Sequence, residues 1–157
     1  MKRYTCLLHS FVRFFNLEYS CFRLSYYWSF FIKAIPLPQE YNRGEFLKIK
    51  RDETFFNVDR SDYMQWHIYS GLPDISWKKA ASVVGERCVV LDIGANCGQF
   101  SLKLASALFR KGVHYFAIHA FEPNPAIYQL LVSNLGLNAT MEPTCLLPSV
   151  GFGECCW

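Results

Sequence analysis

"VVLDIGANCGQF", residues 89–100, decides the fold. An apolar run ends in an acid, Asp92, and two glycines, Gly94 and Gly98, then enclose a loop of small and polar residues. That order reads as a strand closing into a turn that opens a helix. A helix start presents unpaired N–H groups and the positive end of a dipole, and glycines let a ligand approach the backbone there. Outward from the turn, "RCVVLDI" (87–93) is expected to be a buried strand. The following helix carries Phe100, Leu104, Ala107 and Leu108 on one face and ends at Lys111-Gly112, a basic last turn and a C-cap glycine. "VHYFAIHAF" (113–121) is expected as a second buried strand holding His114 and His119, which reads them as core or edge histidines. Glu122-Pro123 is its exit. Asn124-Pro125 offers an N-cap and an N1 proline to a third helix with Ile127, Leu130 and Leu131, stopped near Gly136. Strand, helix, strand and helix with short links form a right-handed parallel crossover unit.

Upstream, "EFLKIK" (45–50) and "TFFNV" (54–58) flank Arg51-Asp52-Glu53 and predict a small hairpin. "SDYMQWHIYSGL" (61–72) predicts a short helix capped by Ser61 or Asp62 and stopped by Gly71, and Asp74 can cap a helix over "ISWKKAASVV" closed by Gly85. Before Pro36 and Pro38, apolar residues at Tyr4, Leu7, Leu8, Phe11, Phe14, Phe15, Tyr19 and Phe22 recur at helical spacing. This aromatic, basic stripe predicts a helix packed on the core, with contact at a membrane surface as the alternative. Charged residues interrupt it too often for a spanning helix. The organisation expected is thus 1–38 aromatic/basic helical, 39–86 hairpin and helical lead-in, 87–138 the cofactor half, and 139–157 irregular.

The 157 residues are 52% hydrophobic and 18% charged, which suits a folded domain of ordinary size. The net charge is +3, with its basic excess in the first 39 residues, where five Lys/Arg stand against one acid, and no basic run interleaves with aromatics. Nucleic acid is therefore not expected as a partner. Seven cysteines form no CxxC pair and no metal-ligand spacing, so a reducing, cytoplasmic setting and no metal are expected. Asn138-Ala-Thr140 matches a glycosylation sequon, a triplet common by chance.

What the turn holds follows from its details. Counted from Gly94, the second and third glycines of a dinucleotide fingerprint are replaced by Asn96 and Gln99, and no Lys-Ser/Thr follows Gly98 as in a phosphate-cradling loop. Asp92 would repel a phosphate and attract a cation. S-adenosylmethionine (SAM) has positive sulfonium and amino groups and no phosphate, so it is the cofactor expected here. Glu122, at the tip of the second strand, is placed to accept from vicinal ribose hydroxyls. The bland reading makes Asp92 a helix cap and Glu122 a solvated loop acid.

The stretches "VVLDIGANCGQFSL", "AFEPNPAIYQLLVSNLGLN" and, upstream, "RSDYMQWHIYSG" resemble the FkbM-type class I SAM-dependent methyltransferases over roughly residues 60–138. The resemblance implies an α/β fold, a partial doubly wound (Rossmann-like) class I methyltransferase sheet preceded by the helical segment and hairpin. It implies Asp92, Gly94, Ala95, Asn96 and Gly98 along SAM, Glu122 on the ribose, and no metal. The activity implied is O-methylation of a hydroxyl on a sugar or secondary metabolite. Only 35 residues follow Glu122, and "ATMEPTCLLPSVGFGECCW" (139–157) offers at best one weak strand, Cys145–Leu147. A truncated, inactive fragment is therefore the rival expectation. A dinucleotide-binding oxidoreductase fragment is the further alternative, disfavoured by Asn96 and Gln99.

Overall fold

The computed structural model describes residues 35–72 and 74–138, together with the backbone of 146–150. The helix expected upstream of Ile35 lies outside the described residues. Two compact units divide the chain, Met1–Ile49 with Val58–Leu72, and Lys50–Asn57 with Pro73–Trp157. The division runs through a hairpin of β1 (Phe46–Arg51) and β2 (Thr54–Asp59). Its turn residues Asp52 and Glu53 both have positive φ, 49° and 70°, as a two-residue primed turn requires.

In the first unit, α1 (Tyr63–Ser70) starts where the Asp62 side chain accepts from the Gln65 N–H and stops at Gly71, whose φ is 68°. Of the two predicted caps Asp62 serves, because Ser61 is engaged with Asp59 through both its N–H and its hydroxyl. Trp66 donates from its ring nitrogen to the Pro36 carbonyl at 2.8 Å, and the Arg60 guanidinium lies 4.4 Å from the centre of the Tyr41 ring. Both contacts seat α1 on the chain that precedes the hairpin.

Among its described residues the second unit holds a three-stranded parallel sheet in the order β3-β4-β5, with β3 Cys88–Ile93, β4 Phe116–Glu122 and β5 Leu146–Val150. It is an α/β, Rossmann-like arrangement. Three helices accompany it: α2 (Ser76–Val83), α3 (Gln99–Arg110) and α4 (Pro125–Leu137). Trp77 and Ala81 of α2 and Leu104, Ala105 and Leu108 of α3 pack with Phe116 and Ile118 of β4. Leu131 of α4 packs on Ala120. Residues 116, 118 and 120 point to one face of a strand. All three helices therefore cover the same side of the sheet.

Three sequence expectations change. β3 is buried on one face only, since its residues alternate between half-buried and exposed. The second strand begins at Phe116, not at Val113. Glu86 accepts from the N–H groups of His114 and Tyr115, at 3.4 and 3.2 Å, just ahead of the ladder, where the Arg87 N–H donates to the Tyr115 carbonyl at 2.6 Å. His114 is consequently exposed and His119 half-buried. The weak strand expected at Cys145–Leu147 is instead the five-residue β5, paired from Ile118↔Leu146 to Glu122↔Val150. Pro148 lies within it, tolerated on an edge strand because the missing N–H can fall on the unpaired side.

Among the described residues, no helix is long and apolar enough to cross a membrane.

Candidate functional site

The loop between β3 and α3 brings Gly94, Ala95, Asn96 and Gly98 beside Glu122 of β4. Positive φ values at Gly94 (84°), Asn96 (51°) and Gly98 (88°) fold it back on itself. Gly94 is exposed, and a Cβ added there would meet nothing within 4 Å. Gly98 is buried, and a Cβ added there would lie 2.7 Å from Leu131 Cδ1. One glycine thus keeps the outer side of the turn open, and the other admits α4.

Every backbone N–H of the loop is consumed inside the protein. Gly94 and Ala95 both donate to the Phe121 carbonyl at 2.9 Å. Asn96 donates to Glu122 Oε2 at 2.9 Å, and Cys97 to the Asn96 side chain at 2.8 Å. Gly98 donates to the Ala95 carbonyl at 2.9 Å. A pyrophosphate needs such donors free. This loop has none to offer from 94 to 98.

Glu122 is buried, with Oε2 on the Asn96 N–H and Oε1 on the Asn124 N–H, both at 2.9 Å. Each oxygen has a second lone pair, so the carboxylate can still accept from two neighbouring hydroxyls. Asn124 meanwhile caps α4, its side chain accepting from the N–H groups of Ala126 and Ile127. The exit of β4, the start of α4 and the glycine loop are therefore tied to one carboxylate.

Asp92 lies on the covered face of β3, and its Oδ2 accepts from the Ser101 hydroxyl at 2.6 Å. Burial pushes its carboxyl above the ordinary value of 3.8, outweighing bonds from the Ser101 hydroxyl and N–H that pull it down. Asp92 fastens the strand to the first turn of α3.

Sequence reasoning missed Asn134 and Asn138. Both are buried, and both sit in phase with Leu130 and Leu131 on α4. An asparagine inside an apolar stripe was the available signal. The sequon at Asn138 is an incidental triplet: the amide donates to the Phe55 and Asn134 carbonyls at 2.8 and 2.7 Å. Among the described residues, no cluster of His, Cys, Asp and Glu could hold a metal.

No protein-family model matches the chain, and no curated protein does. Solved structures do resemble it in arrangement. The M. jannaschii tRNA m1G37 methyltransferase is 21% identical over 70% of this chain and 31% of its own, with a TM-score of 0.49. Methanocaldococcus jannaschii Trm5 in complex with adenosine is 22% identical over 70% of this chain and 30% of its own, at 0.49. P. horikoshii TYW2 in complex with MeSAdo is 17% identical over 71% of this chain and 38% of its own, at 0.44. The chain spans about a third of the length of these proteins.

The expectation of no nucleic-acid partner is withdrawn. A protein of similar arrangement is a tRNA methyltransferase. A linear sequence shows only basic residues that are adjacent along it. Folding gathers Lys78 of α2 and Lys103 and Arg110 of α3 around Asp52, an arrangement that no linear run reveals.

Proposed function

We propose that this chain is the cofactor-binding part of a SAM-dependent methyltransferase. The single observation that carries the reading is the loop of residues 94–98, whose five N–H groups are all satisfied internally. Such a loop suits a ligand without phosphate. The residues fit SAM in two further respects: the outer side of Gly94 is open, and Glu122 retains acceptor capacity for a ribose diol. Gly94, Ala95, Asn96 and Gly98 would shape the loop along the cofactor, Glu122 would hold the ribose, and Asp92 would anchor the loop's entry through Ser101. SAM supplies an electrophilic methyl group, and the chain's contribution is to hold it in line with an acceptor.

The finer reading is transfer to a hydroxyl oxygen in the manner of the FkbM-type enzymes, resting on the motifs between Val89 and Asn138. We place the protein in the cytoplasm, whose reducing environment suits seven cysteines that form no CxxC pair.

Calorimetric titration of the full chain with SAM, NAD and ATP tests the proposal. Saturable binding of SAM with no heat from NAD or ATP is the expected result. Binding of NAD in preference to SAM would overturn it, as would the absence of SAM binding.

A further inference from the structure

Asn134 stands in the last turn of α4 and Asn138, four residues on, is its C-cap, while Phe55 and Asn57 stand two apart on β2. Four residues of helix rise about 6 Å, and two residues of strand about 6.7 Å, so the two spacings match. Asn138 accepts from the Phe55 N–H at 2.9 Å and donates to the Phe55 carbonyl at 2.8 Å. Asn134 accepts from the Asn57 N–H at 2.7 Å and donates to the Asn57 carbonyl at 3.4 Å. Each amide meets the strand edge as a neighbouring strand would.

The two asparagines differ in one respect. The Asn134 amide also donates to the Cys97 carbonyl at 2.9 Å, inside the glycine loop. Asn138 makes no such bond; its remaining donation goes to the Asn134 carbonyl one turn back. Asn134 has no exposed surface, so in the folded chain its bonds are made to protein and not to bulk water. Only an amide offers an acceptor and two donors on one short side chain. A carboxylate lacks the donors, and a hydroxyl has too few.

We infer that Asn134 is a positioning residue for the cofactor loop, coupling the β2 edge to the Cys97 carbonyl and so holding the turn between Gly94 and Gly98 in its binding shape. The inference rests on the proposed function in so far as that loop holds SAM. The β2 edge at Asn57 then braces the cofactor loop through Asn134.

Asn138 provides the matched control, since its loss removes the same kind of strand bonds without touching the loop. The full chain carrying Asn134→Ala or Asn138→Ala is compared with the parent by amide hydrogen exchange without ligand, and by SAM titration. Asn134→Ala is expected to speed exchange at Gly98 and Asn96 and to weaken SAM binding about tenfold, the effect of one unsatisfied buried acceptor. Asn138→Ala is expected to speed exchange at Phe55 and to leave the loop amides and SAM affinity within about twofold of the parent. Should Asn134→Ala not fold, Asn134→Asp is read in the same way, because it keeps the acceptor for Asn57 and lacks the donor for Cys97. Loop exchange that responds equally to both substitutions, or to neither, overturns the inference. A parent chain that does not bind SAM overturns the proposed function instead, while the exchange comparison still decides the role of Asn134.

Discussion

The two faces of the parallel sheet are built from the same kinds of residue and meet opposite surroundings. On one face Val90, Ile118 and Ala120 lie beneath α2, α3 and α4. On the other, Val89, Leu91 and Ile93 are 66%, 59% and 64% exposed. Ala117, His119 and Phe121 of β4 occupy that same side, half-buried. A strand apolar on both faces is the composition of a sheet with helices on both sides. Here the described helices cover one side. An apolar sequence therefore records what a strand is suited to meet, and the structure records what it does meet.

The sharpest way to break this contrast is to cut one leucine from each face. Leu108→Ala removes a fully buried side chain under the covered face and is expected to cost about 2–5 kcal/mol. Leu91→Ser on the open face is expected to change stability by less than about 1 kcal/mol and to raise solubility, because it removes an exposed apolar group. Urea unfolding of both variants makes the measurement. Equal losses would mean that Leu91 is covered in solution.

The glycine loop repeats the contrast on a smaller scale. Gly98→Ala drives a methyl into Leu131 at a φ of 88° and is expected to destabilise by about 1–3 kcal/mol through overpacking and strain. Gly94→Ala meets no atom, so only the strain of its φ of 84° remains, about 1–2 kcal/mol. Its methyl would stand on the open side, where the proposed cofactor approaches. The two variants should therefore divide: Gly98→Ala lowers the unfolding midpoint more, and Gly94→Ala weakens SAM binding more for each unit of stability lost. Titration and denaturant melts on the same samples check the division.

Local signals were the legible part of this molecule. Asp62, Asn124, Gly71 and Gly112 bound their helices from within a few residues, and helix caps act at that range. The alternation of β1 and the composition of β2 sufficed for the hairpin. Of the candidate site, the gathering of Gly94, Asn96, Gly98 and Glu122 followed from the strand–turn–helix order. What could not be read depended on partners distant in sequence. Glu86 binds N–H groups just ahead of β4, Ser101 turns Asp92 toward α3, and Asn134 reaches residues 37 and 77 positions away. The full length of the strand at 146–150 depends on its pairing with β4, a partner that its own residues do not name. Periodicity reports which residues are apolar along an element, and it is silent on which polar side chain will find a partner across the fold.

Two aspartates extend the contrast between covered and open into pH dependence. Burial holds the Asp92 carboxyl above 3.8, so the folded state binds its proton more tightly than the unfolded chain does. Its stabilising effect is complete below 3.8 and is lost as pH rises through the raised value; above that, the fold carries a desolvated charge. Asp92→Asn keeps an oxygen for Ser101 and removes the charge, so its stability should gain on the parent's between pH 4 and pH 7. Asp52 has the opposite sign. Burial raises its carboxyl, but the Lys103 hydrogen bond and the charges of Lys103, Lys78 and Arg110 outweigh this and hold it below 3.8. Its contribution is present above 3.8 and is lost as pH falls through the lowered value. The Asp52 side chain is 58% exposed, so solvent screens the pair and Asp52→Asn should cost under about 1 kcal/mol at neutral pH. Unfolding free energies measured from pH 3 to pH 8 should thus show the two variants departing from the parent in opposite directions at pH 7. Departures in the same direction would mean that Asp92 is solvated, and that the covered face of β3 ends before the site.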